Sequence, residues 1–271
     1  MSKRADGGYS SAWRRATKIV VPPLVNTLVK HDWHGQENIR NVPARSGVIL
    51  AINHLSYADP LPICMFTHKA GRYPVFLAKS SLFEITGLGT VMRGTGQLPV
   101  YRGSADAAVV LRDVERALRD GACVIFYPES TATRDPALWP MVARTGVARA
   151  ALATSVPVIP VAQWGAQRIL PYGSKRPRLL PRATVHITAG PPVDLSECQG
   201  KPLSADVLRS ATAVIMKDIT GLLAGIRGET PPAEPYHWAA ARRQARQDAR
   251  DRDNLSVTDS AAGSGTEATP P

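Results

Sequence analysis

The sequence is poor in cysteine, and its three cysteines are not arranged as a disulfide framework or a zinc site. They are Cys64, Cys123 and Cys198, which are far apart, odd in number and without a Cys-x-x-Cys pair. This pattern argues against structural disulfides and against structural zinc. The six histidines likewise form no metal-ligand spacing on a recognisable helix. We therefore expect no bound metal.

The sequence also lacks a long apolar run. A transmembrane helix needs about 18 or more consecutive apolar residues, and no such stretch is present. The N-terminus does not have the basic, apolar and small-residue order of a secretory signal peptide. These absences predict a chain that stays in a reducing cytoplasm.

Aromatic residues make up only 6% of the chain. They are not interleaved with basic residues and no RNA-binding motif is visible, which argues against nucleic acid as a partner. The chain is nevertheless strongly basic, with 33 Lys and Arg against 22 Asp and Glu and a formal charge of +11. Such a charge predicts an anionic partner, either a membrane surface or a phosphorylated or CoA-like substrate.

Two common enzyme motifs are missing as well. No Gly-x-Ser-x-Gly sequence is present to serve a serine hydrolase, and Cys123 lies within an apolar run rather than at a turn. Gly87-Leu88-Gly89 follows a predicted helix and is not continued with the glycine spacing of a dinucleotide-binding loop. These observations argue against a serine or cysteine hydrolase and against a dinucleotide-binding enzyme.

Apolar content is 44%, enough for the core of an α/β domain of about 200 residues. Strand and helix patterns alternate along the chain, which predicts an α/β fold with a mixed, mostly parallel β-sheet flanked by helices. The predicted strands are 47–53, 74–78, 97–101, 122–127, 157–162 and 183–189, and the predicted helices are 60–69, 80–92, 104–120, 143–154 and 204–224.

Composition divides the chain into three parts. Residues 1–35 contain a basic apolar segment interrupted by Pro22-Pro23, which fits either an amphipathic membrane-surface helix or an ordinary helix packed on the core. Residues 36–225 hold the strand and helix alternation and are the predicted catalytic domain. Residues 226–271 are predicted to be a Pro-rich linker, a short charged helix and a disordered tail without catalytic chemistry.

A histidine and an aspartate follow the strongest early strand, at His54 and Asp59. A carboxylate on one imidazole nitrogen fixes the tautomer and raises the basicity of the other, as a general base requires. On a regular helix the two side chains would point roughly 140° apart, so their contact requires a turn. The alternative is that Asp59 caps a helix beginning at Pro60 and His54 is a surface loop residue. The carboxyl end of a strand favours a functional site.

Three later segments supply groups that suit an anionic, acyl-bearing substrate. Residues 96–102 form a glycine-led strand that ends in Arg102, a permanent cation suited to a phosphate monoester, although such an arginine is often only a surface residue. Residues 128–134 form a turn with a carboxylate, hydroxyls and free amides, which suits a phosphate or oxyanion site or is simply a charged turn. Residues 156–161 are an apolar strand between prolines, predicted to lie at an edge or wall.

Together these four segments resemble the glycerolipid acyltransferases of the 1-acylglycerol-3-phosphate acyltransferase (PlsC-like) family. The blocks occur in the family's order: Asn-His-x4-Asp at 53–59, Gly-x-x-Pro-Val-x-Arg at 96–102, Pro-Glu-x-Thr at 128–131 and Val-Pro-Val-Ile-Pro at 156–160. Each block is weak alone, but the ordered set is specific.

The resemblance implies transfer of an acyl group from acyl-CoA or acyl-carrier protein to the sn-2 hydroxyl of 1-acylglycerol-3-phosphate, giving phosphatidate for phospholipid biosynthesis. His54 would be the general base and Asp59 its orienting partner, with no cofactor and no covalent acyl-enzyme. The chain would work as a peripheral or monotopic protein on the cytoplasmic, anionic face of the cell membrane. The substrate-binding residues implied by the matching positions are Lys79, Arg102, Glu129, Ser130 and Thr131.

The third block departs from the family at two positions. Family members usually read Pro-Glu-Gly-Thr-Arg, whereas Ser130 replaces the glycine and Ala132 the arginine here. Losing a guanidinium beside a phosphate removes roughly 1.5–3 kcal/mol of charge-assisted bonding. Either Arg134 or Arg93 substitutes, or the acceptor is not simple lysophosphatidate. Our hypothesis is compensation by Arg134.

Three alternatives to this activity stay open on the sequence. The first is an acyltransferase of the same family that acts on another lysolipid or a glycolipid. The second is a hydrolase in which the same base activates water. The third is a membrane-binding homologue that has lost activity, against which both members of the pair, His54 and Asp59, are retained.

Overall fold

The computed structural model describes residues 10–101, 104–174, 176–244 and 246–248, apart from the side chains of residues 11 and 104–107. Helix follows strand through most of this length, and a 3₁₀ turn occupies Ser80–Phe83. The elements are α1 (Ser11–Leu28), β1 (Val29–His34), α2 (Gln36–Arg40), β2 (Val48–Ile52), α3 (Pro60–Lys69), β3 (Pro74–Lys79), α4 (Leu88–Thr95), β4 (Leu98–Val100), α5 (Ser104–Arg119), β5 (Cys123–Phe126), α6 (Gly146–Thr154), β6 (Val158–Trp164), α7 (Ala166–Ile169), β7 (Ala183–Ala189) and α8 (Ala205–Arg227).

The strands form one twisted sheet in the order β1-β7-β6-β2-β5-β3-β4. Strands β6, β2, β5, β3 and β4 run parallel to one another, and β7 pairs antiparallel with β6 and parallel with β1. The sequence prediction of a mixed, mostly parallel sheet flanked by helices is confirmed. No helix among the described residues is long and apolar enough to span a bilayer.

The central strands are apolar on both faces because helices cover both faces. Every residue of β2 and of β5 is buried, as expected for strands inside a parallel sheet. Along β2, Ile49 faces a core layer formed with α5, α6 and α8. Its neighbour Leu50 faces the opposite layer, formed with α1, α2 and α3. This two-sided packing holds the carboxyl end of β2 in a fixed position.

Strand β6 is an interior strand, and the prediction that its prolines place it at an edge or wall is wrong. It lies between β2 and β7. The ladder to β7 begins only at Val161, which pairs with Ala189, one residue after Pro160. The carbonyl of Pro160 accepts from the amide of Gly190 at 2.8 Å. Because carbonyl and nitrogen of one strand residue face the same neighbour, the missing N–H of Pro160 costs no bond to β2.

The N-terminal segment is helical through both of its prolines, so the predicted interruption at Pro22-Pro23 is wrong. The two prolines remove two helical hydrogen bonds, while the hydroxyl of Thr27 donates to the carbonyl of Pro23 at 2.8 Å. Packing holds the helix in place, because Val25 is buried in the core. The helix α1 nevertheless presents apolar side chains to solvent, and Ile19 is 73% exposed.

Two other elements differ from the sequence prediction. The helix predicted over 80–92 is instead the 3₁₀ turn followed by α4, because Gly87 at φ +79° breaks the run. Strand β1 was not predicted, since its Val-Lys-His-Asp-Trp-His sequence is mostly polar. It pairs with β7 over all six residues.

The chain after α8 does not leave the domain surface. Gly228 ends α8 in the left-handed conformation at φ +65°. The following residues return to the loop after β5, where Tyr236 forms a β-bridge with Met141 and its carbonyl accepts from the amide of Val142 at 3.1 Å. Residues 238–244 and 246–248 are helical, which agrees with the predicted charged helix, and the predicted disordered tail lies outside the described residues.

Candidate active site

Functional side chains collect at the edge of the sheet where the parallel strands end. His54 follows β2, Lys79 is the last residue of β3, and Glu129 follows β5. Open α/β sheets bind their ligands at this edge. Lys79 is exposed there. Arg102, the phosphate ligand implied after β4, lies outside the described residues.

His54 and Asp59 are in direct contact through a turn, as the sequence predicts. Nδ1 of His54 lies 2.8 Å from Oδ2 of Asp59. The same oxygen accepts from the amides of Leu55 at 2.7 Å and Ser56 at 3.0 Å, so one carboxylate closes the turn and holds the ring. Asp59 makes no capping bond to α3, which excludes the interpretation of this residue as a simple helix cap.

This contact decides which nitrogen of the ring is available for chemistry. A fully buried carboxylate that accepts at Nδ1 places the proton on that nitrogen. Nε2 is then the acceptor of the His54 ring, and the side chain is 13% exposed. His54 therefore presents a basic nitrogen towards the site.

Two tyrosines restrict the ring of His54. Tyr127 stacks on it with centroids 4.2 Å apart and an angle of 23° between the planes. Tyr57 approaches edge-on, with centroids 6.4 Å apart. Burial raises the pKa of Tyr127 well above its usual value, and the Asp59 carboxylate raises it further. Tyr127 therefore stays uncharged and covers one face of the His54 ring. This role was not predicted, because in the sequence Tyr127 is only the last residue of an apolar strand.

A buried amide pair fixes the end of β2 to β6. The side chain of Asn53 donates to the carbonyl of Gln163 at 3.1 Å and accepts from its amide at 2.8 Å. In return, Nε2 of Gln163 donates to the carbonyl of Asn53 at 2.9 Å. This explains the asparagine that precedes His54 in the first block. Gln163 carried no sequence signal, since its partner lies 110 positions away.

Glu129 is buried beneath the site, and both of its carboxyl oxygens are occupied. Oε1 accepts from the amide of His54 at 2.9 Å and Oε2 from the amide of Met141 at 2.9 Å. Burial raises the pKa of Glu129 to about 8, against the opposing effect of the two amides. The loop also binds His54 from the other side, because the amide of Thr133 donates to its carbonyl at 2.7 Å. Glu129 thus holds the backbone of His54.

The two positions that depart from the family block differ in their surroundings. Ser130 is exposed and has φ +61°, a left-handed conformation that favours glycine. Its amide donates to the carbonyl of Tyr127 at 2.9 Å, which closes the turn, and Thr131 beside it is partly buried. Ala132 is fully buried. The family's glycine at this place is explained by the backbone.

Of the two arginines considered as replacements, only Arg134 keeps its guanidinium available. Arg93 donates from Nη1 to the carbonyl of Phe83 at 2.6 Å. The guanidinium carbon of Arg134 lies 3.8 Å from the ring centroid of Tyr172 and 5.0 Å from that of Trp238. Within the described residues, its side chain has no hydrogen bond or ion pair.

Comparison with known proteins finds sequence relatives and a shared fold. Residues 31–164 match the sequence model of the Acyltransferase family. The chain is 29% identical over 147 residues to a chloroplastic 1-acyl-sn-glycerol-3-phosphate acyltransferase of Brassica napus, covering 54% of this chain and 40% of that protein. It is 30% identical over 152 residues to a 1-acyl-sn-glycerol-3-phosphate acyltransferase of Borreliella burgdorferi, covering 56% of this chain and 53% of that protein. The match therefore spans about half or less of these relatives.

A solved structure shares the fold. The 1-acyl-sn-glycerophosphate acyltransferase PlsC from Thermotoga maritima superposes with a TM-score of 0.55 at 24% identity, covering 78% of this chain and 83% of that chain. The resemblance drawn from the sequence blocks is confirmed by these matches.

Proposed function

We propose that this chain, whose residues 31–164 match the sequence model of the Acyltransferase family, transfers an acyl group to the free sn-2 hydroxyl of 1-acylglycerol-3-phosphate. The product is phosphatidate, a precursor for phospholipid biosynthesis. Both relatives are named as 1-acyl-sn-glycerol-3-phosphate acyltransferases, which supports the acceptor class. The observation that carries the chemistry is the contact of 2.8 Å between His54 Nδ1 and Asp59 Oδ2.

The reaction uses Nε2 of His54 as a general base. The acceptor hydroxyl attacks the thioester carbonyl of acyl-CoA or acyl-carrier protein while its proton passes to Nε2. Asp59 stabilises the imidazolium that forms. The tetrahedral intermediate then expels the thiolate, which takes the proton from His54 and leaves as thiol. No covalent acyl-enzyme forms, and a positioned base contributes about 10²–10⁴ to the rate.

Hydrogen bonds to neighbouring residues preorganise His54 as a general base. Asp59, Glu129 and Thr133 bind its ring nitrogen, its amide and its carbonyl respectively. Tyr127 covers one face of the ring. Because the ring and its backbone are both fixed before substrate binds, little ordering remains for the chemical step.

The acceptor phosphate is proposed to meet Lys79, at the end of β3, and Arg134, in the loop after β5. Arg102, which lies outside the described residues, is proposed as a third cation. Ser130 and Thr131 lie on the turn after β5 and offer hydroxyls. Glu129 supports this site from beneath, because its oxygens are already engaged by two amides. Ala132 offers no cation, so an acceptor other than lysophosphatidate is the second candidate, and a substrate panel decides between them.

Association with the cytoplasmic face of the membrane is part of the proposal. Ile19, Val20 and Leu24 on α1 are exposed apolar side chains, and Arg15 and Lys18 add positive charge beside them. Such a helix binds in the plane of an anionic surface, where each basic residue contributes about 1 kcal/mol. An active site held at the membrane surface would receive its lipid acceptor directly from the bilayer.

The test is acyl transfer by the purified full chain from labelled acyl-CoA or acyl-carrier protein to lysophosphatidate, other lysolipids and glycolipids. We expect labelled phosphatidate from wild type and none from His54→Ala. Thiol release without any lipid acceptor would instead indicate a hydrolase. Full activity of His54→Ala would refute the mechanism, and the absence of transfer to every acceptor would refute the function.

A further inference from the structure

The segment after α8, residues 229–238, contacts the loop that carries the active-site supports. The carbonyl of Tyr236 accepts from the amide of Val142 at 3.1 Å. Tyr236 also bridges to Met141, the residue whose amide donates to Glu129. Three contacts thus connect the backbone of this C-terminal segment to the backbone of His54, because the other oxygen of Glu129 accepts from the amide of His54. The composition of this segment predicts only a linker without chemistry.

The segment ends at Trp238, whose ring faces the guanidinium of Arg134 at 5.0 Å. Tyr172, from the loop after α7, contacts the same guanidinium at 3.8 Å. Arg134 follows Thr133, which is bonded to the carbonyl of His54. The aromatic contacts therefore hold a cation on the residue that follows a backbone partner of the general base.

The guanidinium has the free donors that an anion needs. Aromatic rings attract its flat face, whereas its N–H groups point outward in its plane and match two oxygens of a phosphate. Nε of Arg134 is buried and makes no hydrogen bond to any residue that the structure describes. A buried donor of this kind is costly unless a ligand supplies the acceptor. No carboxylate is recorded within ion-pair distance of the group among the described residues.

We propose that residues 229–238 complete the acceptor site, with Trp238 acting with Tyr172 to hold Arg134 against the phosphate monoester of the lysolipid. This inference rests on the proposed acyl transfer for its substrate class. Trp238 is a positioning residue, since it acts through Arg134. The C-terminal segment thereby helps to position a guanidinium near the site. Ala132, which replaces the family's arginine, cannot provide one.

Kinetics of the full-length chain separate this role from a structural one. Arg134→Ala should raise the KM for lysophosphatidate about 10- to 100-fold, as expected for a lost charge-assisted phosphate contact. Trp238→Ala should raise it about 3- to 10-fold, with kcat and the KM for acyl-CoA unchanged. Trp238→Phe should restore the wild-type value. Arg243→Ala removes an exposed arginine outside residues 229–238, so it is the matched control for Arg134→Ala and should change nothing.

Two further measurements make the result specific. With monoacylglycerol, which has no phosphate, Trp238→Ala and wild type should have the same KM. In the double variant with Arg134→Ala, the loss of Trp238 should have no additional effect. Additive losses, or equal effects on both acceptors, would overturn the proposal.

Binding separates failure of this inference from failure of the proposed function. Isothermal titration calorimetry with a soluble short-chain lysophosphatidate needs no turnover. Weaker binding in Arg134→Ala and Trp238→Ala supports the inference even if no acyl transfer is found. Equal binding by wild type and both variants would refute it, even if transfer to lysophosphatidate takes place.

Discussion

Oδ2 of Asp59 lies 2.8 Å from Nδ1 of His54, and the same oxygen accepts the amides of Leu55 and Ser56. One carboxylate oxygen therefore sets both the shape of the turn and the tautomer of the ring. Because Asp59 is fully buried, water does not compete for these bonds. The base and its orienting partner form one local unit within six consecutive residues.

Asp59→Asn should lower kcat by about 10²–10⁴ and leave the KM values nearly unchanged, because the amide mis-sets the imidazole tautomer without touching substrate. Steady-state kinetics with acyl-CoA and lysophosphatidate measure both constants. Far-ultraviolet circular dichroism checks that the fold is intact. Turnover close to that of wild type would contradict the role of Asp59.

The His54 and Asp59 contact could be predicted because its determinants are local. Both residues lie on one turn after an apolar strand, and spacing and residue type were enough. The sheet class was predictable for the same reason, since apolar strands and helices alternate in sequence. Ser130 could be recognised as a departure, but only the backbone angle of +61° shows why glycine suits that place.

The remaining parts of the site depend on contacts between distant segments. Glu129 was expected to face the acceptor, yet its oxygens bind the amides of residues 75 positions before and 12 positions after it. Trp238 meets Arg134 only because the chain folds back after α8. Strand β6 was predicted to lie at an edge or wall but is an interior strand. The sequence does not show which of its residues pair with β7. Such partners follow from packing rather than local pattern.

Ser130→Gly should leave the melting temperature unchanged or slightly higher. Relief of the left-handed conformation gains about 1 kcal/mol, and the greater freedom of glycine in the unfolded chain offsets about 0.4–1 kcal/mol of it. Ser130→Val should lower the melting temperature by about 2–8 °C, since a β-branched side chain is strained at this φ. Differential scanning calorimetry compares the three proteins. A valine variant as stable as wild type would argue against the strained turn.

The exposed apolar side chains of α1 predict binding to anionic vesicles. Ile19→Glu combined with Leu24→Glu should abolish most co-sedimentation with phosphatidylglycerol vesicles, because it places charge where the helix meets the lipid. Leu203→Glu combined with Val214→Glu places the same two charges at exposed apolar positions just before and on α8, so it is the control and should bind as wild type does. Equal binding by all three proteins would exclude α1 as the membrane contact.

Glu129 predicts a pH dependence of stability. Its pKa in the folded chain is about 8, raised by burial from an ordinary value of 4.5, so the folded state holds this proton more tightly than the unfolded state. The contribution of Glu129 is therefore complete below pH 4.5 and is lost as the pH rises to about 8. Above that value no further change is expected.

Urea unfolding of wild type and Glu129→Gln across this pH range tests the prediction. The glutamine carries no titrating proton, so the free energy of unfolding of wild type should fall relative to that of the variant as the pH rises. Its amide also turns a donor towards one of the two backbone N–H groups, which costs about 1–3 kcal/mol at every pH and displaces the curve without changing its slope. Glu84→Gln, an exposed glutamate, should show no such slope. A difference between wild type and Glu129→Gln that stays constant with pH would show that the carboxyl is ionised throughout, with the two amides outweighing burial.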